Sequence, residues 1–303
     1  MTRAIAVIVN TGSGSGSDRA IADRLRALFE SAGASVEITL ARGGEIAAAV
    51  ATAIARRPDA IVAGGGDGTV SSIGGALVGG EIPLGVLPLG TLNHFAKDLG
   101  IPLDLEAAVA TIVAGRTLRI DVGEVNGTIF INNSSLGLYP DIVRERERQQ
   151  RRLGWGKWPA LAWAILVALR RYSFMRVRLT IDGHERARRT PFVFIGNNEY
   201  RMDGFAIGER TGLQDGRLSL YVAQRPGRLR LLQLAVRALT GRLKQARDFD
   251  TLLATEIVVE SRRRRIRVAT DGEVKVMTPP LRYRIRPASL SVLAGDSDVP
   301  ARR

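Results

Sequence analysis

Residues 60–78 restrict the fold more than any other stretch. Ala60-Ile61-Val62-Ala63 is followed by Gly64-Gly65-Gly66-Asp67-Gly68-Thr69, and the run from Val70 to Val78 can start a helix. So short an apolar run reads as a strand buried on both faces, as in a parallel sheet. Glycines have no Cβ, so they let the backbone turn sharply and approach a ligand closely. A strand, a glycine turn and a helix N-terminus together make an anion site, with N–H groups aimed at phosphate. Two common phosphate loops do not fit. The chain has no Gly-x4-Gly-Lys-Ser/Thr run, and residues 64–69 do not give Gly-x-Gly-x-x-Gly. Asp67 reads either as a magnesium or hydrogen-bonding group beside phosphates, or as an Asx-type turn cap.

The flanking sequence extends this unit. Strand patterns at 4–9, 36–40, 60–63 and 84–87 alternate with helical patterns at 18–32, 45–55, 92–98 and 105–114. That order implies a parallel sheet covered on both faces. Ligands of such sheets sit beyond the carboxyl ends of the strands. Three loops fall there, at 10–17, 64–69 and 88–93. Each has a plain alternative: a flexible Gly/Ser loop at Asn10, a turn at Asp67, and an N-cap at Gly90-Thr91-Leu92-Asn93.

Past Asp121 β patterns dominate, at 129–132, 177–181, 192–195, 218–222, 256–260, 266–269 and 281–285. Helical inserts interrupt them at 159–171 and 229–247. The fold class expected is therefore α/β: an N-terminal parallel-sheet nucleotide-binding domain, then a C-terminal antiparallel β-sandwich-like domain with helical inserts. The boundaries expected are 1–121, 122–290 and a tail, 291–303, that returns to the first domain. In the second half, Asp215-Gly216 and Asp271-Gly272-Glu273 are both readable as turns, the latter as a type I′ hairpin.

Composition narrows the chemistry. The chain has no cysteine and only two histidines, His94 and His184. Disulfides and cysteine–zinc sites are excluded, and any metal should be oxygen-ligated and magnesium-like. The net charge of +14 points to an anionic partner. The N-terminus enters a strand directly, without a signal-peptide pattern, so a cytoplasmic location is expected. No apolar run reaches the ~20 residues that span a bilayer. Residues 144–171 combine Arg144, Arg146, Arg148, Arg151 and Arg152 with Trp155, Trp158 and Trp163, and close on Arg170-Arg171. Basic residues beside Trp and Leu describe a helix lying in an anionic membrane interface, though an ordinary core helix with a charged end has the same composition. No nucleic-acid motif accompanies the charge, so nucleic acid is not an expected partner.

Three stretches resemble the diacylglycerol kinase catalytic family, which includes bacterial lipid kinases and the sphingosine and ceramide kinases. The first is Gly65-Gly-Asp-Gly-Thr69. The second is Pro88-Leu-Gly-Thr-Leu-Asn-His-Phe-Ala96 with Leu99-Gly-Ile101. The third is the pair Asp215-Gly216 and Asp271-Gly-Glu273. They span nearly the whole chain in the family's order. Two positions depart from it: Asn10-Thr-Gly-Ser-Gly14 lacks the family's proline, and His94 stands where the family has aspartate.

The resemblance implies ATP and Mg2+ as cofactors and a lipid hydroxyl as acceptor, diacylglycerol by default, with ceramide or a sphingoid base as alternatives. ATP would lie against Asn10, Thr39, Gly65, Gly66, Asp67, Gly68, Thr69, Gly90, Thr91 and Asn93. The resemblance makes Glu273 the general base, with Asp271 near magnesium and Asp67 in the catalytic set. It places a structural magnesium at Asp215, with carbonyls nearby at Gly212 and Arg217. Asp121 and, by position alone, His94 would belong to an acid network or touch substrate. The protein would associate peripherally with the inner face of the membrane, and a dimer is left open. Two rivals remain: an NAD kinase-like enzyme, suggested by Asn198-Glu199 although that pair lies too far past Asp67, and a non-catalytic lipid-binding relative.

Overall fold

The computed structural model describes residues 3–11, 18–91, 93–137, 175–201, 209–223 and 249–295. The helices expected at 159–171 and 229–247, the basic stretch at 144–171 and the end of the tail lie outside these residues. The chain forms two compact units. One comprises Met1–Val122, Gly212–Asp215 and Arg286–Arg303, the other Gly123–Thr211 and Gly216–Ile285.

The first unit alternates strands β1 (Arg3–Asn10), β2 (Ala34–Ala41), β3 (Ala60–Gly65) and β4 (Leu84–Pro88) with helices α1 (Asp18–Ser31), α2 (Ile46–Ala55) and α3 (Asp67–Leu77). Helices α4 (His94–Asp98) and α5 (Leu105–Ala114) follow, then strand β5 (Thr117–Val125). The sheet order is β2-β1-β3-β4, all parallel. Every residue of β3 is buried, as a strand covered on both faces requires. Local chemistry sets the helix ends. Asp104 caps α5 by accepting from the Ala107 amide at 2.9 Å, and Gly115 ends it in the left-handed region at φ 74°. The Arg3 guanidinium then donates to the Val113 carbonyl at 3.1 Å, placing a cation at the negative end of α5.

Helix α4 has only five residues, too few to hold itself together. Its Phe95 is fully buried, which stabilises the docked turn by about 2–3 kcal/mol.

The second unit is antiparallel. Its strands are β6 (Thr128–Phe130), β7 (Asn133–Gly137), β8 (Met175–Ile181), β9 (His184–Thr190), β10 (Phe192–Asn197), β11 (Tyr200–Arg201), β12 (Glu209–Arg210), β13 (Leu218–Ala223), β14 (Phe249–Ala254), β15 (Glu256–Ser261), β16 (Ile266–Thr270), β17 (Glu273–Met277) and the start of β18 (Leu281–Leu293). Six of them form one sheet in the order β14-β13-β10-β7-β16-β17. A second ladder runs β18-β15-β8-β9. Their inner faces share one core: Val177, Leu179, Ile257, Val259 and Tyr283 from the ladder pack with Leu136, Val193, Ile195, Leu220 and Val268 from the sheet. Two antiparallel sheets about a common core make a β-sandwich. The expected fold class is thus observed.

Several strands escaped the sequence pattern. The expected strand at 129–132 is two strands, β6 and β7, broken by a bend at Ile131-Asn132. Six of the seven β9 residues are exposed, so no alternation marks it. Asp121 lies inside β5, which continues into a hairpin with β6. Among the described residues no helix is long and apolar enough to cross a membrane.

Candidate functional site

The register of the parallel sheet brings the three loops together. Asn10 stands opposite Ala41, Val9 opposite Gly64, and Gly65 opposite Pro88. The carboxyl ends of β1, β3 and β4 are therefore neighbours, and the residues that follow them form one constellation. Asn10 donates from Nδ2 to Thr69 Oγ1 at 2.8 Å, tying β1 to the first turn of α3. Thr69 is buried beneath the glycine turn.

Two glycine loops meet here backbone to backbone. A Cβ on Gly90 would stand 2.4 Å from Gly66 Cα, and one on Gly65 would stand 2.7 Å from Thr69 Oγ1. No side chain fits at either place. Asn93, at φ 50°, locks the second loop from within. Its Oδ1 accepts from the Gly90 amide at 3.0 Å, and its Nδ2 donates to the Pro88 and Gly90 carbonyls at 3.1 and 2.9 Å.

Asp67 is the first residue of α3, and its carboxylate reaches α4. Oδ1 accepts from the Phe95 amide at 3.1 Å, and Oδ2 from the His94 amide at 3.4 Å. The acid thus bridges the N-terminal turns of two helices. Each oxygen has accepted one backbone N–H, which leaves acceptor capacity on both. His94 enters through its backbone. Thr91 is exposed beside Gly90, and Gly68 has nothing within 4 Å of a built Cβ. Thr39 is exposed on β2, opposite Ile8 and two residues before the strand ends at Ala41. The first amides of α3 sit at the same edge of the sheet, those of Thr69 and Val70 donating to the Gly66 carbonyl at 2.9 and 3.1 Å.

Other expected residues of the first unit lie elsewhere. Asp121 is buried in β5, where its amide donates to the Leu213 carbonyl at 2.9 Å. Its Oδ1 accepts from the Ala288 amide at 2.9 Å, at a point where Ala288 takes φ 46°. It therefore pins a kink in β18. Both Asp215 carboxylate oxygens lie 2.9 Å from where a Cβ on Gly212 would stand, so only glycine lets the acid rest against that backbone. Arg217 belongs to the second unit, where its carbonyl accepts from the Asn198 amide at 3.0 Å. Among the described residues, no three His, Cys, Asp or Glu side chains gather to hold a metal ion.

In the second unit, Asp271 and Glu273 flank the turn between β16 and β17. The Asp271 carboxylate accepts from the amides of Ile131, Asn132 and Asn133 at 2.7, 2.8 and 3.0 Å. This fixes the β6–β7 bend against the turn. Glu273 begins β17, is exposed, and lies 4.0 Å from Lys275.

The supports of this turn were not read from the sequence. Asn197 Nδ2 and Arg210 Nη1 donate to the Ile131 carbonyl at 2.7 and 2.9 Å, and the Tyr200 hydroxyl donates to that of Asn132 at 3.0 Å. The Tyr221 hydroxyl holds the Tyr200 backbone, accepting from its amide at 3.0 Å and donating to its carbonyl at 2.6 Å. Burial raises the Tyr221 pKa against the opposing effect of these hydrogen bonds, so the phenol keeps the proton it donates. The paired Asn197-Asn198 after an apolar strand was the one available signal.

Comparison with known proteins gives this arrangement a family. Residues 4–125 match the diacylglycerol kinase catalytic domain, and residues 143–294 match the YegS C-terminal NAD kinase beta sandwich-like domain. The chain belongs to the diacylglycerol kinase catalytic family. A diacylglycerol kinase of Mycobacterium tuberculosis is 30% identical over 255 residues, covering 80% of this chain and 79% of that protein. An uncharacterised Synechocystis sp. protein is 29% identical over 239 residues, which is 77% of this chain and 54% of that longer protein. A solved Bacillus anthracis str. Sterne structure, described as a diacylglycerol kinase, aligns over 97% of this chain and 98% of its own, with a TM-score of 0.70 and 19% identity. At that identity the likeness concerns the fold.

Proposed function

We propose that this protein transfers the γ-phosphoryl group of ATP to the hydroxyl of a membrane lipid, with diacylglycerol the first acceptor. The observation that carries the reading is the double glycine loop. Gly66 and Gly90 meet backbone to backbone at the carboxyl ends of β3 and β4, beside Asn10 and the N-terminus of α3. Such a surface offers backbone N–H groups and a helix dipole to a polyphosphate.

Magnesium commonly takes only one or two carboxylates, the rest of its shell being phosphate and water. Asp67, with acceptor capacity left on both oxygens at this loop, fits that need, and Asp215 beside Gly212 fits a second cation. Magnesium, when bound, would offset the charge on the β- and γ-phosphates.

An alcohol does not ionise at neutral pH. Its oxygen therefore attacks phosphorus while a carboxylate takes the proton, as the bond from the γ-phosphorus to the β,γ-bridging oxygen breaks and ADP leaves. Glu273 is assigned that base; it is exposed at the start of β17, on a turn held by Asp271. The family relationship supports the assignment. Asp271 then serves by holding the turn, with three amides already on its carboxylate.

The test is incubation of the purified chain with γ-labelled ATP, magnesium and vesicles carrying diacylglycerol, ceramide, sphingosine or monoacylglycerol, with NAD in a parallel tube. Labelled phosphatidic acid is the expected product. Label in NAD alone would replace the reading with an NAD kinase. Label in no acceptor would reject phosphoryl transfer to any of these alcohols.

A further inference from the structure

Two charged groups meet across the bend at Ile131-Asn132. Arg210 is only 7% exposed, and a cation taken out of water is destabilising unless it is well bonded. Its Nη1 donates to the Ile131 carbonyl at 2.9 Å and its Nη2 to Asn132 Oδ1 at 3.2 Å. Its guanidinium carbon lies 5.9 Å from the centre of the Tyr200 ring. The Ile131 carbonyl and the Asn132 amide belong to one peptide group, and that amide donates to Asp271 Oδ1 at 2.8 Å. A single planar peptide is therefore held by a guanidinium at its oxygen and by a carboxylate at its N–H. Resonance joins the two ends, so a cation at the oxygen makes the N–H a stronger donor. Hydrogen bonds in such a chain reinforce one another. Asn197 Nδ2 already bonds the same carbonyl at 2.7 Å, so what the second donor adds is charge.

The next peptide repeats the arrangement with neutral groups. The Asn132 carbonyl accepts from the Tyr200 hydroxyl at 3.0 Å and the Asn197 amide at 2.9 Å, while the Asn133 amide donates to Asp271 Oδ1 at 3.0 Å. The Asp271 amide returns a bond to the Asn133 carbonyl at 2.9 Å. These bonds converge on a turn that needs support. Thr270 pairs with Glu273 across two residues, Asp271 at φ 49° and Gly272 at φ 89°. Positive φ at both central residues is the type I′ geometry. Asp271 carries a Cβ, so the left-handed region is strained for it and persists only where its surroundings over-determine it. That conformation sets the direction in which Glu273 leaves the turn.

We infer that Arg210 is a positioning residue: it acts as a counter-ion to Asp271 through the Ile131–Asn132 peptide, and so fixes the turn that presents Glu273. The role of Glu273 rests on the lipid-kinase reading; the pairing of the two charges does not. Charge-assisted hydrogen bonds are about twice as strong as neutral ones, and here both ends of the chain are charged. Loss of the cation weakens the hold of the Asn132 amide on Asp271, and the strained turn relaxes.

A double-mutant cycle, read in urea melts of the full chain, tests the pairing without turnover. Arg210→Gln removes the charge and keeps an amide donor. In that background Asp271→Asn should raise the unfolding constant about tenfold less than it does in the wild type. Tyr200→Phe removes a neutral donor from the same bend and should couple far less to Asp271→Asn. Arg210→Lys keeps the charge, and Asp271→Asn should cost as much there as in the wild type. Additivity of Arg210→Gln with Asp271→Asn would overturn the inference. So would equal coupling by Tyr200→Phe, which would make the shape of the bend the cause. If Arg210→Gln does not fold, the lysine variant decides: a smaller cost of Asp271→Asn in that background would overturn the charge pair. Turnover then separates positioning from stability. Folded Arg210→Gln should lose about a hundredfold in kcat for labelled-lipid formation. KM for ATP should not change, because the nucleotide loops belong to the other unit, and Arg210→Lys should recover most of the loss. Wild-type kcat in Arg210→Gln would reject the positioning role. A wild type that shows the coupling and labels no lipid would remove the kinase and leave the charge pair standing.

Discussion

Replacing Gly90 with alanine should separate ATP binding from folding. The added Cβ would sit 2.4 Å from Gly66 Cα, 2.9 Å from Asn93 Oδ1 and 3.1 Å from Gly66 N, where ordinary contact begins at 3.4 Å. Two of those neighbours are backbone atoms, so the loops must part by about 1 Å rather than turn a side chain aside. Overpacking of this kind costs about 1–3 kcal/mol. At a few degrees per kcal/mol, that predicts a melting temperature about 3–9 °C lower. The loss of function should be larger, because a misplacement of about 1 Å in a positioning element costs about a hundredfold. Calorimetric titration with ATP and labelled-lipid formation would measure both effects against Gly44→Ala, where a Cβ meets nothing within 4 Å. Wild-type ATP affinity in folded Gly90→Ala would refute the argument that these loops cradle the nucleotide.

Two further substitutions probe the second unit. Glu273→Gln should lower kcat by about 10²–10⁴-fold and leave KM for ATP and the melting curve unchanged, since the side chain is exposed and lies 4.0 Å from Lys275, a weak surface pair; a loss of stability in step with activity would mean a structural role. Asp182 should carry an acid-sensitive share of stability. Burial pushes its pKa up, but hydrogen bonds from Glu256 and Thr255 and the Arg217 charge outweigh that and hold it below 3.8. A depressed folded pKa stabilises above the unfolded value and ceases to do so as pH falls through the folded one. Asp182→Asn should therefore lower the melting temperature at pH 7, with the difference from wild type shrinking below about pH 4 in thermal melts. A difference that does not change with pH would reject the linkage.

The first unit was largely legible because its information is local. Each parallel strand is an apolar run closed by a turn, and each helix carries its own spacing. The glycine turn at 64–69 announced itself because backbone approach needs residues without Cβ. The second unit was read less completely. β9 hides in His184-Glu-Arg-Ala-Arg-Arg-Thr190 because an exposed strand needs no apolar alternation. The bend at Ile131-Asn132 exists because Asp271, 138–140 residues away, accepts its amides. Asp121 carried no local mark of what it holds, because its partner, the Ala288 amide, is 167 residues distant.

The sequence alone therefore determined the alternation that requires a parallel sheet, the glycines that allow two loops to touch, and the acids set in turns. Those depend on period, on the missing Cβ and on local turn chemistry. Tertiary structure decided which loops meet and what each acid holds. Asp67 reaches the amides of α4, Asp121 pins Ala288, and Asp271 clasps a bend. A carboxylate carries no mark of its partner, since any amide that the fold brings within 3 Å will serve.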